Sequence, residues 1–155
     1  MKRYLIIGFS GSGKTTAADT LASMTGGTVA NESDYIILDY AQSANLDPEY
    51  VKAHKPVLRQ DLYDFARKKQ AEDPTYPVKL TQRHGANIVT GTRNPDELVA
   101  KRHMYDLIIW IERSGCPPGP TDKLAAEDAD IIVLNNGTIE DLREALKVAV
   151  ETARP

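Results

Sequence analysis

Gly8 to Thr15 read Gly-Phe-Ser-Gly-Ser-Gly-Lys-Thr, a run whose glycines, lysine and hydroxyl are spaced to hold a polyphosphate. The glycines let the backbone curl so that its N–H groups face the phosphates, Lys14 reaches the β and γ phosphates, and the Thr15 hydroxyl ligates Mg²⁺. ATP with Mg²⁺ is the ligand pair this implies, contacted by Gly8, Ser10, Gly11, Ser12, Gly13, Lys14, Thr15 and Thr16. The helix that follows adds its positive N-terminal end to the same anion site.

Such a loop works only between a strand and a helix, and the flanks fit. Tyr4 to Ile7 is a short apolar run suited to a buried strand, and Thr16 to Met24 has helical spacing with Ala17, Ala18, Leu21 and Ala22 available to pack. Beyond Gly26-Gly27 the pattern predicts a strand near Thr28 to Asn31, a helix capped by Ser33-Asp34 and reaching about Ala41, and a helical turn from Asp47-Pro48. A longer helix is expected from Val57 to Lys69, with Leu58, Leu62, Phe65 and Ala66 as its apolar stripe, and a short one over Val78 to His84. Further strands are expected at Ala86 to Thr90, Leu107 to Ile111 and Ile131 to Leu134. Helices follow at Pro95 to Arg102, capped by Asn94, and at Ile139 to Thr152. Five strands alternating with helices predict a three-layer α/β fold, a five-stranded parallel sheet flanked by helices, with ligands at the carboxyl ends of the strands.

The 155 residues, 41% hydrophobic, are read as one compact domain spanning 1–155. A single cysteine, Cys116, excludes an internal disulfide and fits a reducing cytoplasm. No apolar run approaches a membrane span, and Lys2-Arg3 leads straight into a strand, so no membrane partner is expected. The net charge of −3 is unevenly distributed: residues 52–103 carry 11 of the 19 Lys and Arg but 6 of the 22 Asp and Glu, giving +5 against −8 elsewhere. This bias is either a solvated helical face or a surface for an anionic acceptor.

The phosphate loop, the stretch Ile88 to Glu97 (Ile-Val-Thr-Gly-Thr-Arg-Asn-Pro-Asp-Glu) and the stretch Asp128 to Thr138 (Asp-Ala-Asp-Ile-Ile-Val-Leu-Asn-Asn-Gly-Thr) together resemble the small P-loop kinases of tailed phages. That family consists mostly of deoxynucleoside monophosphate kinases, with relatives that phosphorylate 5-hydroxymethyl-deoxyuridine in DNA. The resemblance implies a turn beside the adenine after the last strand, at Asn135, Asn136 and Gly137; the alternative is a plain connection into the helix. It also implies an arginine facing a phosphate at Arg93, whose alternative is a surface ion pair with Asp96 or Glu97. Arg59 and Arg67 are either substrate contacts or solvent-facing helix arginines.

Many P-loop proteins carry an acid at the end of the third strand, whereas here that strand ends Val89-Thr90-Gly91. Asp34, just past the second strand, is the candidate to serve Mg²⁺ or the acceptor, with Glu32 next; small P-loop kinases of the dephospho-coenzyme A kinase type place an acid there. The alternative is a helix cap. A hydroxyl acceptor benefits from such a carboxylate, whereas a nucleoside monophosphate is already ionised. Residues 113–128, where an arginine-rich lid would fall, contain only Arg113 and Lys123. Together these favour a kinase acting on the hydroxyl of 5-hydroxymethyl-2'-deoxyuridine in DNA, with a free deoxynucleoside monophosphate as the alternative acceptor. A non-catalytic nucleotide switch is the third reading, although Asn135 to Thr138 is not an Asn-Lys-x-Asp guanine motif.

Overall fold

The structure, a computed structural model, describes residues 1–153. Its first strand, β1 (Tyr4–Ile7), projects Tyr4 and Ile6 into one core and Leu5 and Ile7 into another. Successive side chains of a strand point to opposite faces, so a strand covered on both sides must be apolar throughout. The remaining strands are β2 (Val29–Asn31), β3 (Ile88–Thr90), β4 (Leu107–Glu112) and β5 (Ile131–Leu134). All pair in parallel, in the order β2-β3-β1-β4-β5.

Helices α1 (Lys14–Thr25) and α7 (Ile139–Thr152) cover one face, burying Ala17, Ala18 and Leu21 from the first and Leu142, Leu146 and Ala149 from the second. On the other face α5 (Tyr76–Arg83) contributes Val78, α6 (Pro95–Lys101) contributes Leu98, and the segment after β4 contributes Leu124. That cover stops short of the β5 edge, where Ile132 and Leu134 are exposed. Three further helices, α2 (Glu32–Ala44), α3 (Pro48–Ala53) and α4 (Lys55–Glu72), pack on one another through Ile37, Ala41, Val51 and Leu62. The three-layer parallel architecture is the one expected. No helix among the described residues is long and apolar enough to cross a membrane.

The differences from expectation lie at element ends. Asn31, not Ser33-Asp34, caps α2: its carboxamide oxygen accepts from the Ser33 N–H at 3.0 Å and the Ser33 hydroxyl at 2.6 Å. An extended residue with a short polar side chain satisfies first-turn donors, so the helix begins at Glu32 and Asp34 falls inside its first turn. Helices α4 and α5 begin earlier than expected because Pro56 and Pro77 lie in their first turns, where a missing N–H costs nothing. Helix α6 ends at Lys101, one residue earlier than expected, and a 3₁₀ turn, Arg102–Met104, follows.

One internal contact joins α2 to α6. Lys101 Nζ donates to both oxygens of Glu32, at 2.6 and 2.8 Å, with both side chains buried. Burial pushes the Glu32 carboxyl above the usual carboxylate range, while Lys101 and the Thr92 hydroxyl pull it back. Removing one partner of a buried pair strands the other charge. Lys101→Met is therefore expected to destabilise the fold by about 3–5 kcal/mol in urea denaturation. Adding Glu32→Leu to it should recover most of that loss, and a double variant no more stable than the single would contradict this account of the pair.

Candidate functional site

Strand β1 lies between β3 and β4, and the chain leaves it on one side for β2 and β3 and on the other for β4. A crevice opens where connections diverge from the carboxyl ends of parallel strands, and Gly8 to Thr15 occupies it. The loop requires glycine at particular points. A Cβ on Gly8 would stand 2.7 Å from the Ile111 carbonyl oxygen, and one on Gly13 would collide with the Asn135 amide, with φ +96° adding strain. Phe9 anchors the loop edge-on against Trp110, ring centroids 4.9 Å apart.

Helix α1, which starts at Lys14, has no side-chain cap and no acidic residue in its first turn; α4 and α5 share this, but of the three α1 is the one that opens from the phosphate loop. First-turn N–H groups have no acceptor within their own helix, so this end offers donors to an anion. Inside the loop the Ser12 hydroxyl is buried without a hydrogen-bond partner. Lys14 folds back, donating to the carbonyl oxygens of Gly8 at 2.8 Å and Phe9 at 2.9 Å. Burial draws its ammonium below the ordinary lysine value, with Asp122 opposing and Arg93 adding to the effect.

Two adjoining cavities meet here. The first, about 370 Å³, is lined by Ser10, Gly11, Gly13, Lys14, Thr15 and Arg93 among others. The second, about 500 Å³, carries Asp34, Tyr35, Leu38 and Asp19 on its walls. Thr15, Asn31 and Thr90 belong to both. Exposed Asp34 thus faces the cavity beyond Thr15, and its alternative role as the cap of α2 is taken by Asn31. Glu32 points the other way, into its pair with Lys101.

Arg93 reaches the first cavity and pairs with neither Asp96 nor Glu97. Its Nη1 donates to Thr121 Oγ1 at 2.9 Å and lies 3.8 Å from Asp122 Oδ1. Asn135 donates through Nδ2 to the Ser12 carbonyl oxygen at 2.8 Å, bracing the phosphate loop. Asn136 Oδ1 accepts from the Ser114 N–H at 2.8 Å, and Gly137 lies against Asp141. Thr16 is exposed on the first turn of α1. Arg59 and Arg67 are exposed on α4, Arg67 over the Tyr63 ring, and line neither cavity.

The residues present fit a magnesium nucleotide. Among the described residues no group of three or more His, Cys, Asp or Glu could form a metal cage. Mg²⁺ is characteristically bound through one or two carboxylates plus substrate phosphates and water; Thr15, with Asp34 on the adjoining cavity, would be its protein partners. Sequence reasoning missed Asp122 and the bracing role of Asn135.

No protein-family model and no curated protein sequence matches this chain. Solved structures do resemble it. A shikimate kinase from Aquifex aeolicus is 16% identical with a TM-score of 0.56, over 97% of this chain and 96% of that one. A sugar kinase from Janibacter sp. is 16% identical with a TM-score of 0.54, over 97% and 95%. TT1252 from Thermus thermophilus is 17% identical with a TM-score of 0.58, over 99% and 98%. The fold is thus the P-loop kinase fold.

Trp110, the single tryptophan, touches the loop through Phe9, so its fluorescence is the expected readout of nucleotide binding. Asn135→Ala removes one hydrogen bond from the loop, worth about 0.5–1.5 kcal/mol, so ATP should bind about 2- to 10-fold more weakly by tryptophan fluorescence titration. An unchanged affinity would show that the loop holds its shape without this brace.

Proposed function

We propose that this chain is an ATP-dependent kinase whose acceptor is a hydroxyl group, in the leading case that of 5-hydroxymethyl-2'-deoxyuridine in DNA. The observation that carries the reading is the shared wall at Thr15: a phosphate loop on one side, a cavity with a free carboxylate, Asp34, on the other.

Bound Mg–ATP supplies the γ-phosphoryl group and neutralises part of its charge. Lys14 leaves the loop carbonyls for the phosphates, and the N–H groups of the loop and of α1 hold them in place. Thr15 offers its hydroxyl to Mg²⁺. Arg93, on the same cavity, supplies a planar pair of donors for the moving group. Asp34 orients the acceptor hydroxyl and takes its proton as the new oxygen–phosphorus bond forms and the bond to ADP breaks. Tyr35 and Leu38 give the acceptor cavity the apolar wall a base needs. The excess of +5 over residues 52–103 suits a polyanion, although Lys101 is buried and takes no part. A free nucleoside monophosphate is the competing acceptor, favoured by Arg93 at the cavity mouth.

Incubation with γ-labelled ATP and, separately, hydroxymethyluracil DNA, ordinary DNA, each deoxynucleoside monophosphate and simple polyols decides the acceptor. Label is expected in the modified DNA; label confined to a free nucleotide or polyol overturns the DNA reading. Lys14→Ala should cut transfer to any acceptor by about 10²- to 10³-fold. Asp34→Asn should lower kcat by about 10²-fold or more and leave ATP affinity unchanged. Full turnover in the Asp34 variant would make the acceptor a group that needs no base.

A further inference from the structure

Asp122 contacts two residues that line the phosphate cavity, Ser10 and Arg93, and its side chain is only 4% exposed. It lies between β4 and β5, in a segment without helix or strand, yet its contacts are specific. A single oxygen, Oδ2, accepts from the N–H of Ser10 and of Gly119, each at 2.8 Å. The other oxygen faces Arg93 at 3.8 Å. Residues 119–123 are held on both sides: Thr121 accepts from Arg93 Nη1, and the Lys123 N–H donates to the Arg93 carbonyl at 3.2 Å. Gly119 packs so closely on the loop that a Cβ there would stand 3.2 Å from Ser10 Oγ.

Burial alone would raise the Asp122 carboxyl, but the N–H groups of Ser10 and Gly119, the Ser10 hydroxyl and Lys14 outweigh it and hold the carboxyl below the usual range. The carboxylate is therefore an anion resident among a loop N–H, a guanidinium and an ammonium, the donors a terminal phosphate also needs. Two anions cannot share them without repulsion at close range.

We infer that Asp122 is an internal competitor of the terminal phosphate: a triphosphate displaces it from Ser10 and Arg93, which frees Arg93 and releases residues 119–123, whereas a diphosphate leaves the contact intact. This rests on the reading of Gly8 to Thr15 as a triphosphate loop. The kinase then presents Arg93 to phosphate only when a γ-phosphate is present, and Asp122 returns once that phosphate has left.

Asp122→Asn tests the charge alone, because the amide oxygen can keep both hydrogen bonds that Oδ2 accepts. Calorimetric titration of the wild type and the variant with Mg–ATP and Mg–ADP, with thermal unfolding of each as a control, gives the readout. The expected result is about tenfold tighter ATP binding with ADP changed by less than about twofold, a shift in ratio that a purely structural role would not produce. Equal shifts for the two nucleotides, or no gain for ATP, overturn the inference while leaving the nucleotide site standing. Failure of the wild type to bind either nucleotide overturns both. If the variant does not fold, hydrogen exchange in the wild type decides: the Gly119 amide should exchange faster with Mg–ATP than with Mg–ADP, and identical exchange overturns the inference.

Discussion

A stretch of backbone that presents its N–H groups to an anion forms no regular ladder of its own and needs braces to hold its shape. In this molecule Lys14 holds the Gly8 and Phe9 carbonyls from within the loop, and the braces from outside are the Ile111 carbonyl that Gly8 approaches, Trp110 under Phe9, Asn135 on the Ser12 carbonyl and Asp122 on the Ser10 N–H. Each brace comes from a strand end or loop on the β4–β5 side of the crevice, which leaves the β3 side free. Thr90, Gly91 and Arg93 face the cavity from there. The sheet order thus gives the loop one supporting wall and one working wall.

The working wall depends on a division of labour between two acids. Glu32 and Asp34 lie two residues apart on the first turn of α2, but a helix turns about 200° over two residues, so they cannot share a face. Glu32 faces Lys101 and ties α2 to α6, while Asp34 is left at the second cavity. The buried pair costs desolvation on both charges, and with Glu32 held on Lys101 it is Asp34 and Tyr35 of the same turn that line the second cavity.

The strands were legible because both faces of the sheet are covered, which forces unbroken apolar runs such as Tyr4 to Ile7 and Leu107 to Ile111. Helix starts were legible where a capping side chain is followed directly by proline, as at Asp47-Pro48 and Asn94-Pro95. The phosphate loop was legible because its chemistry is contained in eight consecutive residues. Asp122 was not, since its partner Ser10 lies 112 residues away and its own surroundings show no periodicity. Nor was Lys101, whose position in a basic segment suggested solvent; only the folded contact with Glu32, 69 residues distant, makes it internal. For Asn135 the alternatives were a turn beside the adenine and a plain connection into the helix, and its bond to the Ser12 carbonyl, 123 residues away, belongs to neither.

A kinase built on this crevice requires Gly8 to Thr15 to be the place where a triphosphate is held. Amide hydrogen exchange of the purified protein with and without Mg–ATP tests this residue by residue. Exchange is expected to slow at the amides of Gly11 to Thr16, where the backbone and the first turn of α1 close on phosphate. Unchanged exchange across those residues at a saturating Mg–ATP concentration, with protection appearing elsewhere, would contradict it.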